Sequence, residues 1–251
     1  GNLNEAQAYD AILQTCPATI EHLTQYESNL RARYDKGDYW WEMRACAYEH
    51  QFESGKITWT NLQNRGKFCF DDSGKYINAP AVILPSDDKS LLGILNSKVV
   101  WFFLQGICVQ RSGGYLEVKP QYFEQIPIPE KSEEWSKTMS LKVEAMFSVV
   151  KAKHVSNERF KNLLASEFDI ERWPNKLNKW WTLDFADFVK ALKLKLSLAQ
   201  KDELLQVFEK YRTELSTVDN EIQKTDHEVD QLVYGLYDLT PEEIKTVEES
   251  V

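Results

Sequence analysis

The chain has 251 residues, of which 43% are hydrophobic, 12% aromatic and 27% charged, a composition that can bury a sizeable core and excludes disorder as the main state. Ten glycines and eight prolines are too few for a collagen-like or low-complexity protein, and no apolar run approaches the roughly 18 residues of a membrane span. The formal net charge of −9 argues at first sight against a nucleic-acid partner. Ten acidic and two basic residues lie in 219–251, however, so the rest of the chain is nearly neutral, and 51–123 and 151–195 are each mildly positive.

The first residues lack an initiator Met, a basic stretch and an apolar stretch, so no signal peptide is expected and the chain reads as a piece of something longer. Cys16, Cys46, Cys69 and Cys108 are far apart and form no Cys-x-x-Cys pair, which predicts reduced thiols in the cytoplasm. Cys46 and His50 are four apart, but no second ligand pair follows, so no zinc site is expected.

In chain order, the segment to about Lys36 reads as helical: Pro17 suits a first turn, and Ile20, Leu23, Tyr26 and Leu30 form one apolar stripe. Asp35-Lys36-Gly37-Asp38 is a turn signal. From about Tyr39 to Glu130 the texture is strand-rich, opening with Tyr39-Trp40-Trp41-Glu42-Met43-Arg44. Lys56-Ile57-Thr58-Trp59-Thr60 alternates like a half-buried strand, and Phe68-Cys69-Phe70, a turn at Asp71-Asp72-Ser73-Gly74 and Tyr76-Ile77-Asn78 read as a hairpin. Ala81-Val82-Ile83-Leu84 is an apolar strand. One helix interrupts the strands, capped near Asp87-Asp88, with Leu91, Leu95, Val99 and Phe102 on its buried face. Tyr115-Leu116-Glu117-Val118 is a strand after the loop Arg111-Ser112-Gly113-Gly114, and Pro127-Ile128-Pro129 is an exit linker.

Beyond Lys131 the pattern is helical again. Leu204, Phe208, Tyr211, Leu215, Val218, Ile222, Thr225, Val229 and Leu232 alternate in steps of four and three, an a/d seam held for about four heptads. A weaker seam runs through Trp135, Met139, Val143, Met146 and Val150 to Phe160 and Leu164. Two long helices packed antiparallel within the chain account for both. An intermolecular coiled coil, and with it an oligomer, is the alternative.

Catalytic motifs are mostly missing. There is no Gly-x-Gly-x-x-Gly, Walker loop, Gly-x-Ser-x-Gly elbow or His-Glu-x-x-His. Glu117-Val118-Lys119, with Asp87 or Asp88 upstream, fits the acidic-x-Lys triplet of a metal-dependent nuclease, but Glu243-Ile244-Lys245 fits it equally, so the pattern is cheap. The middle region carries polar, aromatic and Gly-rich loops instead: Asn61-Leu62-Gln63-Asn64-Arg65-Gly66-Lys67, Gln110-Arg111-Ser112-Gly113-Gly114-Tyr115 and Lys119-Pro120-Gln121-Tyr122. Their side chains are of the types that match base edges and phosphates.

Several segments carry a family resemblance. They are Asn78-Ala79-Pro80-Ala81-Val82-Ile83-Leu84-Pro85, Leu91-Leu92-Gly93-Ile94-Leu95-Asn96-Ser97-Lys98, and Gly113-Gly114 leading to Gln121-Tyr122-Phe123-Glu124-Gln125-Ile126-Pro127-Ile128-Pro129. Together they resemble the TaqI-like C-terminal specificity domain of type II restriction–modification enzymes. The start, from Cys16-Pro17 to Tyr39-Trp40-Trp41-Glu42, is similar as well. So is the end, from Asp226-His227-Glu228 through Tyr234-Gly235-Leu236-Tyr237 to Leu239-Thr240-Pro241-Glu242-Glu243.

The resemblance implies an α+β architecture: a β-rich target-recognition domain with an inserted helix at 37–130, an N-terminal helical connector at 1–36, and a long antiparallel, coiled-coil-like helical spacer at 131–251. It also implies sequence-specific recognition of double-stranded DNA by the C-terminal part of an adenine-N6 methyltransferase, with or without an endonuclease. Such a parent uses S-adenosylmethionine, with a divalent metal such as magnesium where it cuts. The Asn/Asp-Pro-Pro-Tyr/Phe tetrapeptide that holds a flipped adenine is missing, since no two prolines are adjacent, and so is the glycine-bearing cofactor loop. No catalytic residue, cofactor or metal is therefore expected in this chain, whose partners would be duplex DNA and the N-terminal domains of the parent.

Under that reading Arg65, Lys67, Arg111 and Lys119 are candidate phosphate or guanine contacts and Asn61, Asn64, Gln110 and Gln121 candidate base readers. Ser112 suits a phosphate, and Tyr115 and Tyr122 would pack on the backbone or a base. Asn78, Pro80, Gly93, Asn96 and Ser97 are expected to set turns and packing, and Trp40, Trp41 and Trp101 to be core. Two other classes stand beside this one. A helical interaction module would bind another subunit through its seam and acidic tail, and a nuclease would use Glu117 and Lys119.

Overall fold

A computed structural model describes residues 3–250. The chain divides into two compact units, 1–53 and 54–251.

In the first unit, α1 (Glu5–Thr15), α2 (Pro17–Thr24) and α3 (Glu27–Ala32) replace the single helix expected there. Asn4 and Gln7 form a capping box at the start of α1, and Pro17 occupies the first turn of α2. Tyr39 to Arg44, expected as a strand, is a turn. Its backbone carbonyls at Trp40 and Glu42 accept from the Arg33 guanidinium (3.3 and 2.6 Å), so they bond a side chain instead of a neighbouring strand. A methyl group on Gly37 would lie 2.5 Å from Glu42 Oε2 and 2.9 Å from the Met43 carbonyl, so only glycine fits this turn. Trp40 is buried, while Trp41 is half-buried and stacks on Tyr39 with centroids 5.0 Å apart.

The second unit contains two three-stranded antiparallel sheets. In one, β1 (Lys56–Thr60) lies between β3 (Cys69–Asp71) and β4 (Ala81–Pro85). Its pairing with β4 runs from Lys56↔Pro85 to Thr60↔Ala81. The expected hairpin is thus corrected: β3 pairs with β1, and 76–78 form no strand. The other sheet has the order β2 (Leu62–Gln63), β6 (Tyr115–Glu117), β5 (Gln110–Arg111). Ile57 and Trp59 point from β1 into the core. Trp59 joins the two sheets, because its indole N–H donates to the Val118 carbonyl at 2.8 Å and its ring stacks on Phe123 at 4.3 Å.

The inserted helix is broken in two, α4 (Lys89–Leu95) and α5 (Lys98–Ile107), bent by 57°. Asp88 caps α4, accepting from Leu91 N at 3.1 Å. Ser97 is buried, donates to the Ile94 carbonyl at 2.6 Å and caps α5 at Val100 N. Asn96 uses the break to copy a strand partner: Oδ1 accepts from Phe68 N (3.0 Å) and Nδ2 donates to Phe68 O (2.9 Å). A methyl group on Gly93 would lie 2.5 Å from Met139 Sδ and 3.2 Å from Val143 Cγ2. Backbone approach this close is what brings α4 against the long helix that carries Met139 and Val143. No single described helix is long and apolar enough to cross a membrane.

A short helix, α6 (Pro120–Phe123), leads to two long ones, α7 (Glu133–Phe168) and α9 (Leu198–Leu236), with α8 (Phe185–Leu192) between them. Trp135–Leu232, Lys142–Glu228, Lys153–Asp219 and Phe160–Tyr211 are partners, ascending α7 while descending α9, so the pair is antiparallel and within the chain. The seam is dry at its ends and half-buried at Val218, Ile222 and Thr225. One end adds Met139, Val143, Val229 and Val233 to the core of the sheets. The other closes a second core in which Phe160, Trp180, Phe188 and Phe208 meet, with Phe160 on Trp180 at 3.8 Å.

The acidic C-terminal segment is also folded back within the chain. Its last helix, α10 (Pro241–Ser250), places Glu248 on Lys98 Nζ (2.6 Å) and on the Tyr234 hydroxyl (2.6 Å). Asp230, almost fully buried, accepts from the Lys98 amide at 3.0 Å. Burial, reinforced by the neighbouring Asp226 and Glu248 charges, raises the Asp230 carboxyl above its usual value. Bonds from Lys98 and then Tyr234 hold Glu248 below its ordinary 4.5.

Asn96→Ala is expected to lower stability by about 1–2 kcal/mol, because water reaches the vacated Phe68 groups beside an exposed residue. Gly93→Ala should cost about 1–3 kcal/mol by overpacking. Urea midpoints check both, and unchanged midpoints would remove these roles. A depressed carboxylate stabilises the fold above its unfolded pKa and loses that contribution as pH falls through its folded value. Glu248→Gln should therefore destabilise the chain at pH 7, and the difference from the native protein should shrink as pH falls from 4.5 through the lowered folded value of Glu248, in urea unfolding followed across pH.

Candidate nucleic-acid interface

The second sheet gathers most of the polar loops at one end. Across it, Gln63, Leu116 and Gln110 are level. One step further, Asn64 leaves β2 level with the pair Tyr115 and Arg111. The loop 64–67 and the turn Ser112-Gly113-Gly114 therefore emerge together. Gly113 and Gly114 have φ of 80° and 75°, the left-handed conformation that two successive glycines adopt without strain; this is what lets three residues reverse the chain.

Strand alternation sorts the faces. Leu116 and Val118 are buried in the core, so Tyr115, Glu117 and Lys119 face outward. Arg111 and Lys119 both reach Glu117 Oε2, at 3.0 and 3.1 Å. Arg111 first and then Lys119 hold that carboxyl below its usual value. Two cations flank one carboxylate, and the outer face is net positive in an acidic protein. A Glu117 carboxylate engaged twice, together with an Asp88 bound to Ser90 and Lys131, is a cap and a charge bridge. Among the described residues no three His, Cys, Asp or Glu side chains cluster to hold a metal.

The candidate residues divide into groups. Asn64, Arg65, Lys67, Gln110, Arg111, Ser112 and Tyr115 are exposed at or beside the hairpin end. Lys67 Nζ donates to Asn64 Oδ1 at 2.9 Å. Arg65 has no hydrogen bond or ion pair among the described residues, and its charge is within reach of Asp226 on α9. Asn61 and Lys119 sit at the opposite end of the sheet, where Val118 N donates to the Asn61 carbonyl at 2.7 Å. The Asn61 side-chain oxygen is buried without a partner, on the inward side that strand alternation shares with Gln63. Gln121 is exposed on α6, while Tyr122 packs against the core of the sheets.

The sequence gives no sign of the role of Gln63. It is buried, and its Oε1 accepts from Lys67 N at 2.7 Å, which shapes the loop carrying Asn64 and Arg65. Only the register, with Gln63 beside Leu116, shows it to be an inward position. Gly93, Asn96 and Ser97 act as packing, clamp and cap residues.

Residues 18–128 match the family model of the TaqI-like C-terminal specificity domain, the family to which the motifs point. Residues 132–233 match that of a domain of unknown function (DUF8810). No curated protein matches the chain.

Proposed function

We propose that residues of about 37–130 form a target-recognition domain that reads duplex DNA for a restriction–modification enzyme, and that 131–251 form its helical spacer. The observation that carries this reading is the hairpin end. There Asn64, Arg65, Arg111, Ser112 and Tyr115 are gathered, exposed and net positive, on the segment that matches a specificity domain. Guanidinium and amide side chains read base edges, and cations and hydroxyls hold phosphates. Backbone geometry supports the same role: two glycines carry no side chain at the tip, so the turn can approach a groove closely.

In this proposal the parent enzyme is an adenine-specific methyltransferase, with or without endonuclease activity, and its cofactor, S-adenosylmethionine, binds outside this chain. The working place is the cytoplasm. The reading of the helices as an oligomer-forming module is less favoured, because the seam and the acidic segment are both occupied within the chain.

The role of Glu117 gives a test with opposite signs. Glu117→Gln frees Arg111 and Lys119 from their shared carboxylate, so duplex affinity should rise several-fold at 50 mM salt, with a steeper salt dependence. Arg111→Ala should weaken binding about ten-fold or relax preference at one base pair. Fluorescence anisotropy with labelled duplexes measures both. Two variants indistinguishable from the native chain would place DNA elsewhere.

A further inference from the structure

The stretch matching the domain of unknown function contains a groove of about 510 Å³ between α7 and α9, lined by Lys151, Val155, Ser156, Arg159, Lys210 and Tyr211 among others. We infer that this groove binds a phosphate group.

Charge is the first observation. Elsewhere on the helix pair Lys142 pairs with Glu228, Lys153 with Asp219 and Lys161 with Glu158, while the exposed Lys137 and Lys201 have no ion partner among the described residues. Lys151, Arg159 and Lys210 make no ion pair with any described carboxylate, although Glu214 lines the same groove. Three cations and one carboxylate line the groove in a chain whose net charge is −9.

The second observation is independent of charge. Ser156 is 7% exposed and its Oγ is buried without a hydrogen-bond partner. Ser148 and Ser166, on the same helix, donate to the Glu144 and Leu163 carbonyls, the usual recourse of a helical serine. Ser156 forgoes that bond, and an unmade bond at a buried hydroxyl costs about 1–3 kcal/mol. The Tyr211 hydroxyl likewise has no hydrogen bond among the described residues. Two hydroxyls without hydrogen bonds beside three cations without ion pairs, one of them (Lys210) over the Tyr211 ring at 5.8 Å, match a tetrahedral oxyanion, which takes donors from several directions. Val155, Ala152 and the Tyr211 ring give the groove apolar walls.

The phosphate could come from the backbone of a nucleic acid or from a small phosphorylated molecule. Asp226, next to Arg65, and the groove residues Lys210 to Glu214 are 12 to 16 residues apart on α9, or about 18–24 Å at 1.5 Å per residue. That span is shorter than one turn of duplex, about 34 Å, while 3.6 residues per turn put the two places roughly 120–160° apart around α9. The backbone source rests on the DNA reading above; the phosphate site does not.

The test uses the full chain and a triple variant, Lys151→Gln/Arg159→Gln/Lys210→Gln, all three being exposed positions. Ser156→Ala is a second variant that leaves the charge untouched. Salt-dependent anisotropy with a labelled duplex of arbitrary sequence, and calorimetry with inorganic pyrophosphate, are the two readouts. For a backbone site the triple variant should lower the slope of log K against log salt by about two to three, at 0.9 per phosphate contact. For a small-molecule site it should bind duplex like the native chain but lose pyrophosphate at least ten-fold, as should Ser156→Ala. A triple variant equal to the native chain in both readouts overturns the inference, and so does a native chain that binds neither probe. If the native chain bound duplex without sequence preference, the target-recognition reading would fall while the slope comparison still decided this one.

Discussion

The break at Asn96-Ser97 holds the second unit together. A continuous helix would leave Phe68 without a backbone partner and would point α5 away from α9. With the break, one side chain supplies Phe68 with both an acceptor and a donor. The next residue caps α5, and the amide of Lys98 after it reaches buried Asp230 on α9. Three consecutive residues thus tie the residue before β3, a helix start and a distant helix to one point. Local capping chemistry and long-range packing meet here, and each would be weaker without the other.

From that point the structure extends in two directions. On one side Trp59 bonds across to Val118, fixing the small sheet whose hairpin carries the exposed cations. On the other, Gly93 admits α7 to close contact, and α7 and α9 run together to a second aromatic core. The proposed interface is therefore carried on a short, outward-facing sheet braced from behind. A recognition surface needs such bracing, because its loops can vary in sequence while its supports do not move.

Much of this was legible in the sequence, and the failures have physical causes. The a/d seam from Leu204 to Leu232 identified α9, and α7 as its neighbour, because periodicity reports a buried stripe directly. The Asp88 cap and the alternation at Lys56 to Thr60 were equally readable. Tyr39 to Arg44 misled because aromatic residues favour strands, while the Arg33 guanidinium had already taken the carbonyls a strand would need. The second arm of the hairpin at Tyr76 was a local inference, overruled when β4 paired with β1 from farther along the chain. Site residues were harder. Asn61 and Asn64 look alike in the sequence, and only the register of a two-residue strand turns one toward the core and leaves the other exposed. The groove residues Lys151 and Lys210 are far apart in sequence, and only the antiparallel pairing of the helices brings them together.

The central claim is that the hairpin end of the small sheet reads duplex DNA. It is tested most directly by selecting from a randomised duplex library with the chain at about 50 mM salt, where phosphate contacts are strongest, and sequencing what is retained. The account predicts enrichment of one short motif, with Arg111→Ala losing preference at a position within it. Duplexes retained at random by the native chain, or none retained at all, would contradict it.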